Sequence, residues 1–289
     1  MKPNRSLVSL LLAALVLPVA GLFAQTPAVE FPAPSPKGTV NQRVGITDIA
    51  IEYFRPGVKG RTIFGGLEAW DKVWRTGANN ATKITFSTAV KFGGADVAAG
   101  TYGLYTIPGQ KEWTVILNTD SGQWGSYNYD QSKDVVRVTV APVKLAELVE
   151  TFTIDVNDIR DESATLNLIW ETTHVAVPIE IPLVATLKPQ IEALMASSAE
   201  KKPYFQAAMF YFGHDLDLKK ALAWMDEGLK AQPDAFYMVY RKGLILEKLG
   251  DKAGALAAAK QSLEMAAKAP PAIKEEYTRL NEALIARLK

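Results

Sequence analysis

The residues best equipped for chemistry in this chain lie in one run, Val73-Trp74-Arg75-Thr76-Gly77-Ala78-Asn79-Asn80-Ala81-Thr82. Arg75 carries a planar, permanently charged fork suited to carboxylate or phosphate, and Asn79 and Asn80 donate and accept hydrogen bonds beside it. Gly77 permits the sharp turn that lets these groups converge, and Arg55 and Arg61 upstream supply further positive charge. The run reads as a site for a small anion. The same arginine has a structural alternative, an ion pair with Asp48, Glu52 or Asp71 that pins the loop. A second group, Trp124 and Tyr127 with Asn128 and Tyr129, sets planar aromatics beside an amide, the combination that a sugar-binding surface uses, with burial in a sandwich loop as the alternative.

Other chemistries find less support. Histidine occurs twice, as His174 and His214, and neither has a partner at metal-ligand spacing, so no metal and no cofactor is expected. Cysteine is absent, which excludes disulfides, thiolate sites and a Cys nucleophile. Gly122-Gln123-Trp124-Gly125-Ser126 lacks the spacing of a nucleophile elbow. Tyr129 and Lys133 have the spacing of a dehydrogenase pair, but no glycine-rich strand-to-helix turn accompanies them. The acidic group Asp155, Asn157, Asp158, Asp161 and Glu162 lacks the glycine and ligand order of a calcium loop and is expected to be a solvated turn. Gly93-Gly94, Gly100, Gly103 and Gly109 precede strands rather than helices, so they are expected in hairpin turns and bulges and not in a phosphate cradle.

The elements that must position these residues follow from periodicity. Of 289 residues, 48% are hydrophobic and 22% charged, a globular composition with room for two domains. Lys2 and Arg5, the apolar run Leu7–Val19 and the small residue Ala24 before Gln25 form a secretory signal over residues 1–24, with a retained membrane anchor as the alternative. Loss of those two cations takes the formal net charge from +1 to −1, which attracts neither nucleic acid nor an anionic membrane. Residues 25–37, with Pro27, Pro32, Pro34 and Pro36, make a spacer. From Val40 to Ile181 about eight short runs alternate with period two, among them Ile49–Tyr53, Ile84–Phe92, Trp113–Asn118, Thr165–Trp170 and Val175–Ile181. They predict an all-β antiparallel sandwich or barrel over residues 38–185. Leu67, Trp70, Val73 and Trp74 recur at helical spacing and predict one short helix over Gly66–Trp74.

After Pro182 the period becomes helical, and residues 186–289 form an all-α second domain. At an offset of 34 residues Asp217 matches Asp251, Ala221 matches Ala255, Leu222 matches Leu256 and Leu229 matches Leu263. That offset is the tetratricopeptide period, so Lys202–Ala269 resembles a degenerate pair of such helical hairpins, with Ile273, Tyr277, Leu280, Leu284 and Leu288 tracing the face of a capping helix.

Five separated segments of the strand domain together resemble a known family. They are Val40–Gly45, Ile51–Arg61 (IEYFRPGVKGR), Trp74–Asn79 (WRTGAN), Ala99–Pro108 (AGTYGLYTIP) and Gln123–Tyr127 (QWGSY). They are similar to the secreted bacterial proteins grouped as domain of unknown function 2911, over about Ser35–Ile181. The resemblance implies an exported domain and brings no activity and no catalytic residues. It also implies that the position of Asn80 is commonly acidic, so a role that needs a carboxylate there does not carry over.

Three function classes follow. The first is an exported binding or scaffolding protein, periplasmic or extracellular. In this reading the β domain holds a small anionic or glycan ligand through Arg75, Asn79, Asn80, Arg55, Arg61, Trp124 or Tyr127, and the helical domain docks a protein partner. The second is a hydrolase or lyase built on carboxylates such as Glu52, Asp48 or Glu171. The third is a structural envelope protein without a ligand. The absence of a nucleophile, thiol or metal constellation favours the first, which is not an enzyme and spans no membrane once the signal is removed.

Overall fold

A computed structural model describes residues 31–289. The expected secretory signal, residues 1–24, and the first part of the expected proline-rich spacer lie outside these residues. Ten antiparallel strands form two sheets, a sandwich rather than a barrel. One sheet takes β1 (Lys37–Val44), β2 (Thr47–Phe54), β3 (Thr82–Phe86), β6 (Gly100–Ile107), β7 (Trp113–Asn118) and β8 (Asp134–Val140), in that order. The other runs β5 (Ala95–Val97), β4 (Val90–Phe92), β10 (Ser163–Glu180) and β9 (Val143–Asn157). The period-two residues Ile49, Ile51, Tyr53, Ile84 and Leu117 of the first sheet and Ile154, Leu168 and Val177 of the second meet in one core.

The alternation expected to run unbroken from Ile84 to Phe92 divides at Ser87–Ala89, and its two halves belong to different sheets. The break is held by the polar residues that the alternation skipped over. Ser87 Oγ accepts from the Asp48 amide at 2.8 Å, and the Thr88 hydroxyl meets the buried Thr47 hydroxyl at 2.5 Å. Conversely, the two strands expected at Thr165–Trp170 and Val175–Ile181 are one strand, β10. Its inward residues fall on even numbers up to Trp170 and on odd numbers from Val175. The ladder with β9 breaks register on both sides of Glu171, whose φ of +54° absorbs the change of phase.

The helix expected over Gly66–Trp74 does not form. Gly65 (φ +83°) and Asp71 (φ +58°) adopt left-handed conformations, and Asp71 N donates to Pro108 O at 2.8 Å. Trp74 exchanges backbone hydrogen bonds with Thr106 at 2.7 and 3.0 Å, extending the ladder of β6. Its helical spacing of aromatics arises instead because a winding loop delivers Trp70 and Trp74 to one cluster. Trp74 is 3% exposed, stacks on Trp170 of the opposite sheet (centroids 5.8 Å apart, planes 17° apart) and donates Nε1 to Gly77 O at 3.0 Å. Phe64, Trp113 and Phe152 pack around it.

Helix α1 (Leu183–Ala196) begins two residues after Ile181, its Val184 amide facing Glu162 Oε1 at 3.3 Å. The acidic residues near Asp158 (φ +53°) are the β9–β10 turn, as their composition suggested. Helices α2 (Tyr204–Gly213), α3 (Leu218–Ala231), α4 (Phe236–Lys248), α5 (Lys252–Ala266) and α6 (Pro271–Leu288) follow. Among the described residues no helix is long and apolar enough to cross a membrane. The offset of 34 residues reappears as equivalent roles. Asp217 caps α3 through the amides of Lys219 and Lys220, Asp251 caps α5 through that of Gly254, and Ala221 and Ala255 are both fully buried. The helices have two apolar clusters of their own, while Leu187 and Phe210 pack on the sandwich core.

Replacing Trp74 by Phe keeps a ring in the core but leaves Gly77 O without its donor. Urea unfolding of Trp74→Phe is expected to show a loss of about 1–3 kcal/mol, and Trp74→Ala, which opens a cavity as well, about 3–5 kcal/mol.

Candidate functional site

The central run begins as an extended segment and ends as a tight loop. Val73 packs with Tyr105 and Ile116 on the outer face of the six-stranded sheet while Trp74 enters the core, so the chain crosses the sheet margin between adjacent residues. Thr76 then takes φ +54°, an uncommon conformation for a β-branched residue, and is fully buried. Its hydroxyl donates to Thr106 Oγ1 at 3.1 Å, and its carbonyl accepts from Thr82 Oγ1 at 2.5 Å. Gly77 (φ +150°) is required by close approach, since a Cβ there would lie 2.9 Å from Phe54 O. These bonds satisfy the threonines within the protein, leaving the arginines and asparagines to be placed.

The three arginines do not meet at one site: Arg61 and Arg75 both act on Glu68, and Arg55 does not. Arg55 donates Nε to Phe152 O at 3.1 Å and Nη2 to Thr153 Oγ1 at 3.0 Å, tying the end of β2 to β9. Arg61 donates to Val58 O at 3.1 Å and Gly57 O at 2.6 Å, closing its own turn. Arg75 is half-buried, and its Nε is buried without a hydrogen-bond partner among the described residues. Neither Asp48 nor Glu52 serves it: Asp48 is paired with Arg43 at 2.9 Å and Glu52 with Lys37 at 2.6 Å. The acid in its field is Glu68, which lies within the span expected to form a short helix. Burial pushes the Glu68 carboxyl up to about 7, against the opposing pull of the Arg75 and Arg61 charges.

Four of the remaining candidates come together. An isolated bridge pairs Asn80 with Trp124, Ala81 N donates to Gln123 O at 3.0 Å, and Gly125 N donates to Asn79 O at 2.9 Å. The loop from Thr119 to Tyr129 is thereby laid beside Asn79 and Asn80. Ser126 Oγ fixes it again by donating to Val73 O at 3.1 Å. Below it Tyr129 donates to Asp134 Oδ2 at 2.5 Å, and Arg137 donates to the same oxygen at 2.7 Å. Trp124 and Tyr127 stand on this anchored loop with ring centroids 5.7 Å apart and planes 20° apart, yet they are 63% and 75% exposed. Gly125 (φ +73°) is what lets the rings stack, since a Cβ there would lie 2.6 Å from the Tyr127 ring. The side chain of Asn79, whose φ is also left-handed at +54°, makes among the described residues only a long contact of 3.5 Å from its amide to Ser35 O. Asn80 opens onto a cavity of about 230 Å³ shared with Lys37, Glu52, Phe54 and Lys83. The hydrogen bond and charge of Lys37 hold the Glu52 carboxyl below the usual glutamate range.

The carboxylates weighed for hydrolysis are dispersed. Asp48 and Glu52 lie on the outer face of β2 in exposed ion pairs, whereas Glu171 lines a different cavity. His174 bonds Asn167 at 2.8 Å, and His214 lies 3.7 Å from Glu162. No group of three or more His, Asp or Glu among the described residues could hold a metal ion. A family described as "Protein of unknown function (DUF2911)" matches residues 35–179. No curated protein and no solved structure matches the chain.

The folded chain holds the Glu68 proton more tightly than the unfolded chain does. That contribution to stability is complete below the ordinary glutamate range and is lost as pH rises through about 7. Glu68→Gln removes the titration, so thermal-unfolding midpoints of variant and parent are expected to diverge between about pH 5 and about pH 8, the variant gaining as pH rises. In Arg75→Ala the Glu68 titration, followed by carboxyl-carbon NMR, is expected to move to higher pH.

Proposed function

The chain belongs to the DUF2911 family of proteins of unknown function, and from that premise we propose that it is an exported binding module whose β sandwich recognises carbohydrate on the face built from Trp124, Tyr127, Asn79 and Asn80. The observation that carries the reading is the exposed stack of Trp124 on Tyr127. Folding alone favours burial of rings this large, and here a rigidly anchored loop holds them in solvent. Aromatic faces match the C–H faces of a pyranose ring, and neighbouring amides both donate to and accept from its hydroxyls. The paired charges of Lys37 and Glu52 and the Lys83 ammonium beside Asn80 extend the polar rim.

The helical domain supplies the scaffolding half of the proposal. The groove where α3, α4 and α5 meet, edged by Asp226, Lys230, Lys242 and Gln261, is the surface we assign to a protein partner. A small-anion site at Arg75 is a second reading, favoured by the buried Nε that lacks a partner among the described residues.

Isothermal calorimetry of the mature protein against a panel of soluble glycan fragments, including those of bacterial cell wall and capsule, tests the carbohydrate reading. Trp124→Ala and Tyr127→Ala are each expected to weaken binding by about 1–3 kcal/mol while melting within about 0.5 kcal/mol of the parent. A parent protein that binds no member of the panel, or variants that bind as well as the parent, would overturn it.

A further inference from the structure

We propose that the cavity walled by Phe64, Trp70 and Trp113 binds a small zwitterion, whose ammonium end lies between the rings and the Glu171 carboxylate and whose acid end meets Lys144 at the mouth. The cavity measures about 270 Å³, just below the range of about 300–1,000 Å³ for drug-sized ligands, so its occupant is a compact molecule. Its position is separate from the aromatic stack on the outer face. Phe64 and Trp113 belong to the inner core, and the cavity opens where the β6–β7 hairpin meets the bulge in β10.

Three observations define the chemistry. Phe64 and Trp113, packed edge to face at 4.8 Å, form the buried back of the cavity, and the half-buried Trp70, 6.3 Å from Phe64, supplies the accessible ring, whose quadrupole attracts a cation. Glu171 lines the same cavity, at the bulge of β10. Its carboxylate does little for the fold: Oε1 accepts one long hydrogen bond of 3.3 Å from Ile63 N, and Oε2 accepts none among the described residues. Lys144 is exposed on the rim and makes no ion pair among the described residues. A carboxylate without an ion-pair partner beside an aromatic wall, and an ammonium at its edge that is likewise unpaired among the described residues, are complementary to a molecule that carries the opposite charges in that order. Gln110, Thr172 and Thr173 add hydrogen-bonding groups to the lining.

Calorimetry with two probes tests this, glycine betaine for a methylated ammonium and β-alanine for a primary one. At least one is expected to bind the full-length mature protein saturably. For betaine, the carbon isostere 3,3-dimethylbutanoate, which keeps the shape and the acid but loses the positive charge, is expected to bind at least about tenfold more weakly. Glu171→Gln retains an oxygen for Ile63 N and is expected to lower zwitterion affinity at least about tenfold without a change in melting temperature. Lys144→Met is expected to weaken zwitterion binding and leave choline binding unchanged, and Trp124→Ala is expected to leave both unchanged, which separates this cavity from the outer aromatic face. Failure of both zwitterions to bind the parent, equal binding of betaine and its isostere, or full affinity in a folded Glu171→Gln would overturn the proposal.

Discussion

The insertion of Trp74 is the contact on which the architecture of the sandwich end depends. Its ring stacks on Trp170 across the two sheets, its backbone pairs with Thr106 in β6, and its indole N–H is satisfied by Gly77 three residues on. An indole brought this deep needs a partner for its one donor, and the loop provides it by turning back sharply. That turn places Thr76 in a left-handed conformation and draws the backbone of Gly77 against Phe54. The polar residues that follow are set on the outer face as a geometric result of burying one side chain. Core and surface site are therefore not independent: the hydrogen bonds that hold Trp74 also fix the direction in which Asn79 and Asn80 emerge.

Much of this was legible in the sequence, and the exceptions share a cause. Period-two alternation located the strands because half of each faces one core, and the change of period after Pro182 marked the start of α1 at Leu183. The same alternation failed at Ser87–Ala89 and at Glu171. In the first case two strands happened to be in phase although the chain changes sheets between them; in the second a bulge put one strand out of phase with itself. Helical spacing over Gly66–Trp74 misled for a related reason, since aromatics delivered to one cluster by a loop mimic the stripe of a helix. The convergence of Asn79 and Asn80 with Trp124 and Tyr127 rests on a bridge between residues more than forty positions apart, which no local pattern encodes. Arg55 and Arg61 resembled site residues because charge density was visible and their backbone partners were not. Glu68 carried no signal beyond its type; its burial is a property of the loop, not of its neighbours in sequence.

The sandwich and the helices meet through few but specific contacts. Glu162, in the β9–β10 turn, faces both the first amides of α1 and the ring of His214, while Leu187 and Phe210 extend the sandwich core. A carboxylate near a helix N-terminus opposes the unsatisfied amides there, which suits a junction where Pro182 offers no side-chain cap. Beyond that junction the helices rely on their own packing, with Asn281 spanning α5 and α6 through Ser262 and the Tyr277 carbonyl.

The stack of Trp74 on Trp170 also makes the fold optically distinctive. Of six tryptophans, three are bunched in the sandwich interior with ring centres 5.8 and 6.3 Å from Trp74, two of them nearly parallel, and one, Trp124, stands in solvent. Indoles this close couple their electronic transitions, so the pair absorbs circularly polarised light as a chiral chromophore whose sign depends on how the two rings are oriented to one another. The packing of the sandwich interior is thus expected in the circular dichroism of its tryptophans, while the solvent-exposed Trp124 reports separately at the red edge of the emission.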